Sequence, residues 1–329
     1  MDRYFLSDLC EGAEIFDAAA RRAYAFPVEP GKKVKINIAA LGDVGGILLT
    51  GLALLGGDVI DRIGIFDINQ ENAARYEAEM NQIAVPGGTG RFPAVTAIRD
   101  EGDVFDCDVF VFCASKGVPP PDADVSDARM AQYEGNKKII EHYARLAASR
   151  AFAGAFAVVS DPVDPLCKAA YLASGLRPGQ FRGFGLGVMN GRALYYARKE
   201  ARFARYASEG RAFGPHGQDL VIADSVLNYD DALSRELTRK VVTENSRIRQ
   251  LGFKPFFAPA LSSGALSILA ALKGEWHYSS NYIGNGADGA FFGALNRIAG
   301  GATELEDTPL PGALFQRLQA AYENLKAIE

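Results

Sequence analysis

Val34-Lys35-Ile36-Asn37-Ile38-Ala39-Ala40-Leu41-Gly42-Asp43-Val44-Gly45-Gly46 is the stretch on which the fold turns. Its first seven residues are mostly apolar and partly β-branched, which predicts a strand over 34–40. The apolar run at 46–57 predicts a buried helix through about residue 55, and it is too short to cross a bilayer. Between strand and helix lies a turn that can be set against the pattern G-x-G-x-x-G. Ala40 stands at the first glycine position, and Gly42 and Gly45 hold the second and third. The second glycine lets the backbone approach a pyrophosphate, and the third lets the helix pack close to the strand. The helix N-terminus adds amide donors and the positive end of its dipole.

Working outward, residues 62–67 read as a second strand that ends on Asp67. An acid at that place accepts the ribose hydroxyls and repels a 2′-phosphate, so the expected cofactor is NAD rather than NADP. Helical spacing follows over 71–83 and 130–148, and buried strands are predicted over 109–113 and 156–160. Strands that alternate with helices, and are continuously apolar, indicate a parallel sheet covered on both faces. The expected fold class is therefore α/β, a Rossmann doubly wound parallel sheet. Gly42, Asp43, Val44, Gly45, Asp67 and Ala114 form the expected cofactor-binding set. Ala40 keeps open the alternative of a doubly wound domain that has lost its ligand.

Past residue 184 the periodicity loosens. Helices are predicted over 191–206, 231–251, 260–272 and 314–328, and a strand over 220–226. Mixed elements after a parallel half suggest an α+β substrate domain. The expected division is an N-terminal extension at 1–33, a dinucleotide-binding domain at 34–183 and a substrate domain at 184–329. The extension ends in Pro27, Pro30 and Gly31, a linker signature that leaves open whether it seats on the main body or on a partner subunit.

Composition removes several classes of function. A net charge of −5 argues against nucleic acid as a partner, because a phosphate-binding surface is usually basic. Four cysteines without a CxxC pair or metal-ligand spacing suit a reducing, cytoplasmic compartment, and no metal site is expected. The N-terminus carries acids where a secretion signal needs an apolar core, and no membrane association is expected.

Only three histidines occur in the chain. One lies in Gly214-Pro215-His216-Gly217-Gln218-Asp219, between glycines and clear of any helical or strand pattern. Histidine is the side chain best suited to passing a proton near neutral pH. By itself, a histidine in a glycine-rich turn reads equally well as a surface loop.

Four segments together resemble the lactate/malate dehydrogenase family, over roughly residues 34–329. They are the glycine turn with Asp67, Val159-Ser160-Asp161-Pro162-Val163-Asp164, Gly185-Leu186-Gly187-Val188-Met189-Asn190-Gly191-Arg192, and Gly214-Pro215-His216-Gly217. They are similar to that family's nucleotide turn, V-S-N-P-V-D, G-T-x-L-D-S-x-R and G-E-H-G, in the same order. The resemblance implies hydride exchange between NAD and a small 2-hydroxy or 2-oxo acid, in a homodimer or homotetramer. It implies His216 as proton donor and acceptor and Arg192 as the clamp on the substrate carboxylate. Counting back from Asn136, it places Arg129 as the loop arginine that polarises the carbonyl, behind a proline-rich segment 116–122 suited to a lid.

Two departures carry weight. Met189 stands where the family has the acid that supports the histidine, and Asp161 replaces an asparagine. Asp161, Asp164 and Asp219 are candidates for the missing partner, with Asp161 first because it ends the strand entering the site. Residues 254–259 align with the reader of the substrate side chain, either as a rigid apolar pocket edge or as core packing. Lys116 is a possible partner for a second carboxylate. A non-catalytic NAD-binding relative, serving as sensor or assembly subunit, and a dehydrogenase of an unusual keto or imino acid remain alternatives. A related NAD-dependent glycosidase lacks its cysteine and histidine metal ligands here.

Overall fold

The computed structural model describes residues 3–20, 24–87, 92–117 and 130–328. Arg129, and the expected lid beyond Gly117, lie outside the described residues. The first half alternates as the apolar runs require: β2 (Val34–Ala39), α1 (Asp43–Leu55), β3 (Ile60–Phe66), α2 (Gln70–Met80), β4 (Ala94–Ala97), β5 (Val109–Phe112), α3 (Met130–Ser149), β6 (Ala155–Val158), α4 (Val163–Ser174) and β7 (Phe181–Gly183). Strand β1 (Arg3–Tyr4) precedes them.

The second half carries α5 (Leu186–Lys199), α6 (Tyr206–Glu209), β8 (Arg211–Phe213), β9 (Val221–Ala223) and α7 (Asp231–Gln250). A π-helical stretch (Pro259–Ala265) then leads into α8 (Leu266–Lys273). The chain closes with β10 (His277–Asn285), β11 (Asp288–Ala299), β12 (Ala302–Leu305), β13 (Leu310–Pro311) and α9 (Gly312–Lys326).

Nine strands form one sheet in the order β12-β11-β10-β7-β6-β5-β2-β3-β4. The six from β7 to β4 are parallel neighbours, and their chain order reverses between β2 and β5. This is the Rossmann doubly wound arrangement, in which ligands seat at the carboxyl edge beside the reversal. β10 and β11 extend the sheet as an antiparallel hairpin, joined to the parallel part where Ser280 pairs with Gly183. The sheet thus runs without a break across residues 183 and 184.

β5 shows why its sequence is apolar throughout. Val109 and Val111 belong to the core with Ile36, Ile38, Leu48 and Ile268 on one face. Phe110 and Phe112 join Ile140, Phe156 and Leu166 on the other. Burying each such side chain contributes about 1.5–3 kcal/mol.

Several elements differ from the sequence expectation. The helix expected from Gly191 begins at Leu186 and stops at Lys199, so Gly191 lies mid-helix. The region between the expected helices at 260–272 and 314–328 holds four strands, including the longest hairpin. β10 is buried along eight of its nine residues, so it lacks the polar alternation that marks a half-exposed strand. The N-terminal segment, whose seat the sequence left open, lies on the main body: Leu6, Leu9 and Ile15 are buried, and β1 pairs with β13.

Candidate active site

The turn after β2 sits at the reversal point, where the Cys113 amide donates to the Ala39 carbonyl at 3.1 Å. Ala40, in place of the first glycine, adopts φ 73°, the left-handed conformation that a glycine takes freely. An L-residue there costs roughly 1–2 kcal/mol, so the turn geometry is kept although the residue type is not. A Cβ at Gly45 would meet the Ala40 carbonyl oxygen at 2.0 Å, which is why α1 packs against the strand only with glycine there. A Cβ at Gly42 would meet nothing within 4 Å. The N-cap Gly42 supplies no side-chain cap to the first amides of α1.

Asp67 ends β3 beside this turn. One carboxylate oxygen accepts from the Leu41 amide at 2.8 Å, and the other from the Asn69 amide at 2.9 Å. A carboxylate has acceptor positions to spare for ribose hydroxyls. Asp43, at the helix start, pairs with Lys254 at 3.1 Å. This pairing joins the glycine turn to the 254–259 segment. That segment is partly exposed rather than core: Phe257 is 61% exposed and stacks on Phe256.

Further along the same edge, the Ser160 hydroxyl donates to the Ala114 carbonyl at 2.7 Å, tying the end of β6 to that of β5. Asn136, fully buried on α3, accepts from the Lys116 amide at 2.9 Å and donates to the Asp161 carbonyl at 2.7 Å. Residues 115–116 and Asp161 are therefore positioned by one side chain. The Lys116 side chain itself is exposed.

His216 comes to this edge on the loop between β8 and β9. Its Nδ1 lies 3.1 Å from Asp161 Oδ1. The imidazole is buried, with 7% side-chain exposure, whereas Asp161 keeps 38%. Close approach is obligatory here, because a Cβ at Gly185 would sit 2.8 Å from the His216 Cβ. Of the three acids named as candidates, Asp161 takes the ring. Asp164 instead accepts from the His216 backbone amide at 3.1 Å and from the Ser280 hydroxyl. Burial pushes the Asp164 carboxyl up to about 6, against the hydrogen bonds that hold it down. Asp219 turns to α9, accepting from Asn324 at 3.1 Å.

Arg192 is placed differently. Its guanidinium donates to the Val241 carbonyl at 3.3 Å and to Asn245 Oδ1 on α7, and lies 3.8 Å from Met189 Sδ. Met189 is fully buried in the apolar cluster between α5 and α7. Ser280 was absent from the motif reading, since it arrives on β10, which the hydrophobic pattern conceals. Among the described residues, no group of three or more His, Cys, Asp or Glu could hold a metal ion.

No protein-family model matches the chain. An L-lactate dehydrogenase of Macrococcus caseolyticus is 24% identical over 329 residues, spanning 92% of this chain and 98% of that protein. The solved minor L-lactate dehydrogenase of Enterococcus mundtii superposes with a TM-score of 0.73 at 20% identity, over 90% of this chain and 97% of that one. The malate dehydrogenase of Picrophilus torridus gives 0.70 at 18% identity, over 89% and 95%. By sequence the chain is distantly similar to L-lactate dehydrogenases, and it shares the fold of the lactate and malate dehydrogenases.

Proposed function

We propose that the chain is an NAD-dependent oxidoreductase interconverting a 2-hydroxy acid and its 2-oxo acid, with His216 as proton donor and acceptor. The observation that carries this reading is the Asp161–His216 contact of 3.1 Å, on the carboxyl edge of the sheet whose reversal-point turn suits a dinucleotide. Gly42, Asp43, Val44 and Gly45 would hold the pyrophosphate in the open space at Gly42, Ala114 would border the nicotinamide end, and Asp67 would take the ribose hydroxyls. The cofactor supplies or removes hydride at the substrate carbon.

The chain's own residues handle the proton. During reduction the imidazolium–carboxylate pair releases one proton to the carbonyl oxygen as hydride arrives, and during oxidation it takes that proton back. Asp161 stabilises the charged imidazole electrostatically, which replaces the acid missing at Met189. Arg192 is the proposed carboxylate clamp: Asn245 Oδ1 already occupies its guanidinium as an acceptor that a substrate carboxylate oxygen would replace. Arg129 is the proposed carbonyl-polarising residue. We further propose a cytoplasmic homodimer or homotetramer acting on a small-molecule acid. In support, all four cysteines are free, and no helix among the described residues is long and apolar enough to cross a membrane.

The test is purified full-length protein mixed with NADH and a panel of 2-oxo acids. Loss of nicotinamide absorbance with at least one acid, and weaker response with NADPH, is the expected result. NADH binding without turnover on any acid would leave a sensor or assembly subunit. One observation favours a second substrate type: a half-exposed carboxylate at Asp161 suits a cationic imine better than a carbonyl oxygen. Turnover that appears only when ammonium or an amine is added would select that reading.

A further inference from the structure

A cleft of about 530 Å3 opens between α7 and α9, away from the dinucleotide turn. Its lining includes Arg235 and Arg239 from α7, Arg317 and Gln316 from α9, and Gln218 and Asp219 from the loop that follows His216. Arg317 lies deep, with 12% side-chain exposure. Its guanidinium is locked by neutral oxygens, donating to the Tyr229 hydroxyl at 2.7 Å and the Ser234 hydroxyl at 2.6 Å. The carboxylate of Asp231 is 4.0 Å away. That same carboxylate is already engaged by Arg235 at 2.6 Å and by the Tyr229 hydroxyl at 2.8 Å.

Arg239 is exposed, and its guanidinium has no ion pair or hydrogen bond among the described residues. It stands one helical turn from Arg235, and like charges at that spacing repel one another by a few tenths of a kcal/mol. Three guanidiniums thus face two carboxylates, Asp231 and Asp219, and Asp219 is held by Asn324. The surplus is positive in a chain whose net charge is −5. Planar guanidinium forks match phosphate oxygens in pairs, and the two glutamines add neutral amide donors.

We propose that this cleft binds a phosphorylated small molecule, its phosphate held between Arg239, Arg235 and Arg317. The site is separate from the dehydrogenase reading and stands or falls independently of it. One wall is the segment 218–221, directly after His216, so an occupant touches the loop that carries the proposed acid–base group.

Titration calorimetry of the full-length protein with inorganic pyrophosphate tests the proposal, with sodium chloride matched for ionic strength as control. Pyrophosphate also suits the dinucleotide turn, so the comparison of variants isolates the cleft. Wild type is expected to show binding that Arg239→Gln weakens tenfold or more, while any binding at the turn is retained. Arg235→Gln/Arg239→Gln is expected to abolish the cleft component with the melting temperature of the ligand-free protein unchanged. Identical titrations for wild type and the double variant overturn the proposal. So does a signal that chloride alone reproduces.

Discussion

Ser279 and Ser280 are neighbours on β10, yet their hydroxyls belong to two separate buried polar centres on opposite faces of the sheet. Ser280 donates to Asp164, beneath the Asp161–His216 pair. Ser279 hydrogen-bonds to His277 and Asn296, next to Arg182. The alternation of side chains along a strand produces this division. Arg182 is fully buried, donates to Thr303 at 2.8 Å and Asn296 at 3.4 Å, and lies 4.9 Å over the Phe26 ring. Thr303 in turn donates to the Tyr24 carbonyl at 2.7 Å, which anchors the N-terminal segment. Burial draws the Arg182 guanidinium down to about 9. Burial and the neighbouring Arg182 charge draw His277 down to about 3.

The difference between the two faces teaches what to expect of each. On the Arg182 face a titratable ring is sealed in its neutral form, and fixed side chains take up both terminal nitrogens of Arg182 while its Nε is buried without a partner. On the His216 face a half-exposed carboxylate holds an imidazole, and the buried acid behind it is pushed up toward neutrality. The first arrangement serves cohesion, and the second suits proton exchange.

The largest expected break in this contrast comes from His216→Gln. It should lower kcat/KM by about 10²–10⁴ while moving the melting temperature by no more than roughly 3 °C. Full activity in that variant would remove the proton role. The converse is Arg182→Ala, which opens a cavity and strips Thr303 and Asn296 of a donor. A loss of about 3 kcal/mol or more follows, seen as a Tm drop of roughly 5–10 °C with kinetics per folded molecule unchanged. An unaltered melting curve would refute the cohesive role.

A smaller effect is expected for Asp161→Asn. Without the carboxylate the protonated imidazole loses support, so the alkaline limb of the reduction profile should move to lower pH by about one unit. An unchanged pH profile would detach Asp161 from His216 in function. The smallest effects are opposite in sign on the two faces. His277 is depressed from 6.5 to about 3, so its contribution to stability is present above 6.5 and lost as pH falls toward 3. Asp164 is raised from 3.8 to about 6, so its contribution is present below 3.8 and lost as pH rises through 6. Melting curves across this range should flatten on the acid side in His277→Asn. In Asp164→Asn they should lose a decline between pH 4 and 6, and parallel curves for wild type and both variants would contradict the assignment.

Much of the parallel half was legible because its signals are local. The strands at 109–112 and 155–158 are covered on both faces and show as unbroken apolar runs, and the strand at 34–39 is apolar but for Lys35 and Asn37. Helix α7 announces itself through Asp230, whose carboxylate caps the Leu233 amide at 3.0 Å. The hairpin β10–β11 was not legible, since burial on both faces erased its alternation and its glycines mimic loop punctuation. The seat of the N-terminal segment was left open by its prolines, and it is decided by Leu6, Leu9 and Ile15, which find apolar partners far along the chain.

The sequence by itself determined the doubly wound sheet, the glycine turn with Asp67 beside it, and the place of His216 in a glycine-flanked loop. These rest on periodicity, glycine placement and short motifs, all read within a few neighbours. The tertiary structure alone decided which of three aspartates reaches the imidazole, bringing Asp161 to His216 across 55 residues. It also turned Arg192 toward α7, supplied Ser280 and put Ala40 into a glycine's conformation. Such contacts depend on how separate elements pack, and packing is set by the whole core rather than by any local stretch of chain.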